Sequence, residues 1–247
     1  MPSLAKELVG LSVEIIVAGG PAISAAAKAT DKIPVVAGSG ADLIASGLVA
    51  SLAQPGGNVT GTTNIDRDMT AKRLELLKET LPKISRVVVL HGGAKPDIEE
   101  FRETENAGRS LGIKVQSSQV KESSQFANAY AAMTKERANA LIIFHGSVTL
   151  RHRKMLLELA TKNRLPTMCG LALWVEEGGL ISYGVDDGER WRRAAVFVDK
   201  ILKGAKPSDL PVEQPTKFEF IINLKTAKQI GLIIPPNVLA RANRVIR

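Results

Sequence analysis

The sequence predicts an α/β protein built on two successive parallel sheets, and three observations lead there. Apolar runs of strand length at 13–17, 33–37, 86–90 and 140–144 are continuous rather than alternating, as expected of strands buried on both faces. Each run empties into glycine, serine or histidine and then into a stretch with helical spacing, the β-loop-α order of a parallel sheet. The order then starts afresh after a polar segment, Thr62-Thr63-Asn64, so a second sheet is expected between about residues 85 and 185.

Residues 4–11 read as the end of an amphipathic helix, and 13–17 as a strand bounded by Ala18-Gly19-Gly20-Pro21. An alanine-rich helix over 22–30 and a strand over 33–37 follow. The turn Gly38-Ser39-Gly40-Ala41 leads to Asp42, placed to cap a helix that runs to Leu52. Pro55-Gly56-Gly57 stops that helix, because proline lacks a donor and glycine tolerates positive φ, and a third strand containing Val59 leaves toward the threonines. In the second set, helices are expected over 71–81, 98–111, 126–137 and 152–163. Strands are expected over 86–90, 113–115, 140–144, 165–168 and 180–184. A long helix over 188–203 stops at Gly204, and three prolines (Pro207, Pro211, Pro215) exclude both helix and central strand from 205–215. A strand over 218–222, a helix over 224–230 ended by Gly231 and a terminal helix capped by Asn237 complete the chain.

With 247 residues, 45% hydrophobic and 23% charged, the chain is long enough for one large domain or two modest ones. The net charge of +8 is mild for a nucleic-acid partner. Aromatic residues are only 4%, and the basic residues are scattered along helix faces rather than gathered into one patch, so no nucleic acid is expected. The single cysteine, Cys169, excludes an intramolecular disulfide and reads as a small buried thiol. No apolar run approaches the ~18 residues of a membrane span, and Met1 to Glu7 lacks the basic start and long apolar core of a signal peptide.

Catalytic signatures are missing. Gly38-x-Gly40 lacks the third glycine of a dinucleotide fingerprint, no Gly-Lys-Ser/Thr phosphate loop occurs, and His91, His145 and His152 lack metal spacing. His91 and His145 do end strands of the same sheet, which leaves a joint site open beside the plainer reading of loop histidines. No cofactor and no metal are expected. What remains is a set of small and polar residues placed after strands: Gly19 and Gly20, Ser39 with Asp42, Thr62 and Thr63, Gly92 and Gly93, Gly146 with Ser147, and Tyr183 with Asp186. In parallel sheets this is where ligands bind, near helix N-termini that offer free N–H groups to an anion. The pattern suits grasping a small molecule without the acid/base pair that would transform it.

Several stretches taken together carry a resemblance: GLVASLAQPGGNVTG at 47–61, RLELLKETLP with RVVVL at 73–90, LISYGVD at 180–186, the long segment 198–232 and IPPNVLARANRVI at 234–246. They resemble a family of bacterial ABC-transporter substrate-binding proteins related to tryptophan and tyrosine solute receptors, of the type I periplasmic-binding-protein fold. The resemblance runs along essentially the whole chain and is most specific over 204–232. It implies two Rossmann-like lobes with parallel sheets, joined by a three-crossing hinge and closing on a ligand. The first lobe would comprise 1–64 and 188–206, the second 70–187 and 215–247, with hinges near 62–69, 185–188 and 207–215. Family members begin with a secretion signal and a β-α-β segment. The chain is therefore expected to start after both, with an incomplete first lobe and exposed sheet edges open to self-association.

By the same resemblance the function is solute capture for an ABC importer, with an amino acid among the candidate ligands and an inner-membrane ABC permease as partner. The location is then periplasmic or membrane-anchored and extracytoplasmic. Gly19 and Gly20 match a ligand loop, Thr62 and Thr63 the first hinge, and Tyr183 and Asp186 the second. Asp42 matches an Asp-Pro turn, but Leu43 stands where the family has proline. Ligand carboxylates would be held by N–H groups at Gly20, Thr63 or Gly93, and an amine by Asp186 or Asp42. Two other readings share a bilobed fold. A ligand-sensing regulatory domain would be preceded by a helix-turn-helix, for which residues 1–10 leave no room, and an isomerase would need a paired acid and base in its cleft.

Overall fold

The computed structural model describes residues 2–39, 42–63 and 66–247, the side chains of Ser39, Asp66, Arg67, Asp68 and Asp187 excepted. Asn64 of the predicted first hinge lies outside the described residues, as do Gly40 and Ala41. In chain order the elements begin α1 (Pro2–Gly10), β1 (Ile16–Gly19), α2 (Pro21–Ala29), β2 (Val35–Ser39) and β3 (Val59–Gly61). Next come α3 (Asp66–Thr80), β4 (Arg86–His91), α4 (Lys95–Leu111), β5 (Lys114–Gln119), α5 (Phe126–Lys135), β6 (Ala140–Ile143), α6 (Ser147–Arg151) and α7 (Arg153–Lys162). They are followed by β7 (Thr167–Cys169), α8 (Ala172–Glu176), β8 (Ile181–Val185), α9 (Asp187–Leu202), β9 (Phe218–Asn223), α10 (Leu224–Ile230), α11 (Pro236–Leu239) and β10 (Arg244–Ile246). The chain divides into two compact units, Met1–Ile65 with Asp186–Lys217, and Asp66–Val185 with Phe218–Arg247, so it passes from one to the other three times.

The first unit holds a three-stranded parallel sheet in the order β1-β2-β3. Val35 and Ala37 of its central strand join Ile23, Leu43, Val49 and Val59 on one face. Val36 points the other way, onto Ala194 and Phe197 of α9. Both faces are thus covered, which is why β2 reads as an unbroken apolar run. The expected helix from Asp42 to Leu52 does not form. Asp42 Oδ1 does accept from the N–H groups of Ile44 and Ala45, at 3.1 and 2.9 Å, so a helical start exists. Gly47 then adopts φ +68°, and the N–H groups of Leu48 and Val49 both turn back to the Leu43 carbonyl. One turn is all that the glycine permits.

The second unit holds a seven-stranded sheet in the order β10-β9-β8-β7-β6-β4-β5. All its pairs are parallel except β8 with β9, where Val185 faces Phe218 and Ile181 faces Ile222. Alternate residues of β4 and β6 feed two cores. Val87, Val89, Ala140 and Ile142 pack beneath Leu74 and Leu77 of α3, whereas Val88, Leu90, Leu141 and Ile143 pack with Phe126, Leu156 and Trp174. The helix expected over 152–163 forms as α7, with His152 (φ −111°) just before its first residue and separating it from the short α6, which was not expected. Two expectations need correction. Asn237 lies inside α11, which Pro236 starts, because proline at N1 needs no N–H. Strand β5 is longer than 113–115, since an edge strand alternates polar and apolar positions and shows no continuous run.

Two details fix the carboxyl end of this sheet. Gly184 approaches Gly170 so closely that a Cβ added to it would fall 1.8 Å from the Gly170 carbonyl oxygen. Beside them the buried guanidinium of Arg73, reaching up from α3, donates from Nε to the Tyr183 carbonyl (2.9 Å) and from Nη1 to Glu100 (3.0 Å). At the end of β4, His91 is 4% exposed, its Nε2 2.8 Å from Ser117 Oγ and its ring stacked on Phe101 and tilted against Phe144. Burial lowers the His91 pKa from the usual histidine value, opposed in part by the nearby charge of Asp97.

Replacing Gly184 by alanine should destabilise the protein by about 3 kcal/mol, since backbone rather than a flexible side chain blocks the new methyl group. Gly57→Ala, with nothing within 4 Å of the added carbon, should stay within about 0.5 kcal/mol; urea unfolding of both variants checks the pair. Because the folded pKa of His91 lies below its unfolded value, the unfolded chain holds the extra proton between the two. Stability should therefore decline as pH falls below about 6.5. His91→Gln should flatten that decline in urea midpoints measured across the acid range, and an unchanged slope would assign it to other groups.

Candidate functional site

The strand order of the second unit reverses between β4 and β6: β5 lies on one side of β4, and β6 with everything after it on the other. Outside the carboxyl ends at such a switch point is where open parallel sheets bind ligands. Gly92 and Gly93 follow β4 there, and Gly146 and Ser147 follow β6. Gly93 takes φ +86°, and a Cβ on it would meet the Gln119 side chain at 1.9 Å. The N–H groups of Gly93 and Ala94 both donate to Asp97 Oδ2, at 2.9 and 3.1 Å, so the Gly93 N–H expected to hold a ligand carboxylate is already engaged. Ser147 is exposed at the start of α6. The neighbouring Thr149, fully buried, accepts from the Gly146 N–H (2.8 Å) and donates to the Phe144 carbonyl (2.7 Å). Tyr183, half-buried, packs its ring against Phe218 and Phe220 at centroid distances of 6.2 and 6.4 Å.

The first unit gathers the other residues at the carboxyl end of its own sheet. Gly19 and Ser39 are paired between β1 and β2, and Gly20 enters α2 with φ +54°; the Ser39 side chain lies outside the described residues. Thr62 and Thr63, both buried, follow β3. Thr62 Oγ1 donates to the Gly38 carbonyl at 3.0 Å, while Thr63 Oγ1 accepts from the Leu43 N–H at 3.1 Å and so ties the Asp42 turn to the strand end. The Thr63 N–H, a second expected carboxylate donor, goes to the Glu213 carbonyl at 3.0 Å. Asp186 caps α9, its Oδ1 accepting from the Glu189 N–H at 3.1 Å, with Arg192 3.7 Å from Oδ2.

The sequence therefore placed its candidates at two strand-end clusters: Gly19, Gly20, Ser39, Asp42, Thr62 and Thr63 in one unit, Gly92, Gly93 and Ser147 in the other. Asp186 stands at a helix start and Tyr183 within an aromatic cluster. Sequence reasoning missed Arg73, Thr149, Glu213 and Trp191. The signal for Trp191 was its position near the start of a helix directly after a predicted hinge.

Charge in the first unit is locally balanced. Arg193 holds Glu213 with two hydrogen bonds of 2.7 and 2.5 Å, which raises the arginine pKa. A hydrogen bond from Lys217 lowers the Glu189 pKa, burial opposing and Arg192 adding to the effect. Cys169 is fully buried, and burial pushes its thiol well above the usual range, as burial also does to the Tyr130 hydroxyl that donates to the Leu156 carbonyl at 2.7 Å. Among the described residues no group of three His, Cys, Asp or Glu side chains stands close enough to hold a metal, and no helix is long and apolar enough to cross a membrane.

Comparison with known proteins places these features. The family model described as ABC transporter substrate binding protein matches residues 2–246. The chain is 25% identical over 232 residues to a tyrosine-binding protein of Clostridioides difficile (strain R20291), covering 93% of this chain and 66% of that protein's length. Among solved structures, an ABC domain from Streptococcus pneumonia in complex with L-Trp matches with TM-score 0.88 and 26% identity over 99% of this chain and 83% of that one. A conserved domain protein from Vibrio cholerae O1 biovar El Tor matches with TM-score 0.88 and 26% identity, over 99% and 84%. With a family-model match over residues 2–246 and an α/β architecture dominated by parallel pairs, the chain belongs to the ABC transporter substrate binding protein family.

Proposed function

We propose that the chain captures an aromatic amino acid and presents it to the permease of an ABC importer on the outer side of the cytoplasmic membrane. The observation that carries this reading is the family match over residues 2–246, joined by relatives described as tyrosine-binding and as complexed with L-Trp. The residues support capture rather than conversion. Cys169 is sealed in the core with a raised pKa, and His91 is walled by Phe101 and Phe144, so neither serves as an accessible nucleophile or base.

In this reading the ligand's ammonium group is held by Asp186 or Asp42. Its carboxylate meets the N-terminal end of α2 at Gly20, since the Thr63 and Gly93 N–H groups are committed elsewhere. Capping engages Asp186 Oδ1 alone, and Oδ2 faces the exposed Arg192 guanidinium at 3.7 Å. The second unit offers its own strand-end loops with Gly92, Gly93 and Ser147, and the three passages of the chain between units are the segments proposed as hinges.

A thermal-unfolding panel of L-tyrosine, L-tryptophan, L-phenylalanine, L-leucine and D-glucose tests the ligand class. An aromatic amino acid at a hundred times its Kd should stabilise by about 2.7 kcal/mol, with D-glucose silent; stabilisation by D-glucose alone would move the protein to another ligand class. Asp186→Asn keeps an oxygen for the cap and should leave unfolding nearly unchanged. It should weaken L-tyrosine by about tenfold or more, the scale of a hydrogen bond to a charged group. Its effect on 3-(4-hydroxyphenyl)propionate, which lacks the amine, should be small; calorimetric titration of both ligands decides whether Asp186 reads the ammonium group.

A further inference from the structure

We propose that Trp191 is the aromatic recognition surface of the first unit, the side chain on which the ring of a bound amino acid stacks. The inference rests on the reading of the protein as a receptor for aromatic amino acids and deepens it by naming the residue that selects them.

The apolar stripe of α9 that covers the sheet contains Ala194, Phe197, Val198 and Ile201, packed on Val36 of β2. Trp191 precedes Ala194 by three positions and so extends the same stripe by one turn. There the strand runs out. The indole rests on Gly38, next to the last residue of β2, so tightly that a Cβ on Gly38 would fall 2.3 Å from Cζ3, 2.6 Å from Cε3 and 2.9 Å from Cη2. One part of the ring is therefore pinned to backbone, and the side chain as a whole remains 45% exposed. The Gly38 carbonyl beneath it accepts from Thr62 Oγ1 at 3.0 Å, which joins the indole to the strand-end cluster already described.

A tryptophan that only filled the core would be covered, as Trp174 is at 0% exposure. Here the backbone fixes the ring, so little rotamer freedom remains to be lost when another ring stacks on its open part. A planar, apolar ring is the chemistry such a surface takes. At the same strand end Thr63 Oγ1 holds the Leu43 N–H and so ties the Asp42 turn to this cluster.

The chain has two tryptophans and Trp174 is buried, so a ligand-dependent change in indole emission reports on Trp191. Titrating wild-type protein with L-phenylalanine or L-tyrosine should shift or quench that emission, and Trp191→Phe should lose the optical change while keeping affinity within about threefold. Trp191→Ala should weaken L-tyrosine by about tenfold, measured by calorimetry with unfolding followed in parallel to confirm the fold. Gly38→Ala, which displaces the indole without deleting it, should reproduce the loss. If L-tyrosine stabilises wild type and Trp191→Ala equally and leaves the emission unaltered, the assignment of Trp191 is wrong and the receptor reading stands. If no aromatic amino acid stabilises the wild type, both fall together.

Discussion

At the carboxyl end of a parallel strand the ladder stops but the backbone does not stop needing partners, and buried carbonyls left there cost stability unless a donor reaches them. Much of the arrangement described above follows from that requirement. Thr62 supplies a hydroxyl to the Gly38 carbonyl, Thr149 supplies one to Phe144, and Arg73 extends from α3 to satisfy Tyr183. Each donor is fully or almost fully buried, so none is a solvated surface contact. Removing one would leave its carbonyl unpaired in a place water reaches poorly, which is a larger penalty than the net worth of the bond.

The same requirement decides what the strand ends can offer a ligand. Gly93 and Thr63 looked like free N–H donors from their position after strands, but Asp97 and the Glu213 carbonyl take them. Rigidity is the return: loops whose backbone groups are internally paired hold their side chains in place before a ligand arrives, which lowers the entropic cost of binding. Close backbone approaches reinforce this. Gly61 at φ +122° leaves no room for a Cβ against the Ala37 carbonyl oxygen, just as Gly184 leaves none against Gly170.

The fold was legible where burial on both faces erased alternation. Strands β2, β4 and β6 announced themselves as apolar runs, and Gly231, in the left-handed conformation, marked the end of α10 correctly. It was illegible where tertiary context overrode local pattern. Strand β10 is three residues with a single strongly apolar pair, and it exists because β9 offers it an edge. The segment after Asp42 has the composition of a helix, yet Gly47 and the Leu43 carbonyl turn it back. For the site, position after a strand identified the neighbourhood but not the chemistry. Which N–H groups are engaged depends on residues such as Asp97, four positions on from Gly93, and Glu213, 150 positions on from Thr63. Trp191 was visible only as a helix residue, because the strand end that uncovers it belongs to a segment far away in sequence.

The role proposed for Asp186 asks one residue to serve both structure and recognition. A carboxylate has about four acceptor positions, and capping α9 takes only one oxygen, through the Glu189 N–H. The positive end of the α9 dipole lies at the same place and favours a carboxylate there. Its other oxygen faces Arg192 at 3.7 Å, and that guanidinium is 67% exposed. An ion pair in such solvent is worth roughly 0–1 kcal/mol, so a ligand ammonium group that displaces Arg192 loses little by doing so. Arg192 itself keeps Glu189, 3.2 Å away, as an alternative partner. The proposed role therefore needs no rearrangement of the helix start, only the release of a neighbour that still remains paired.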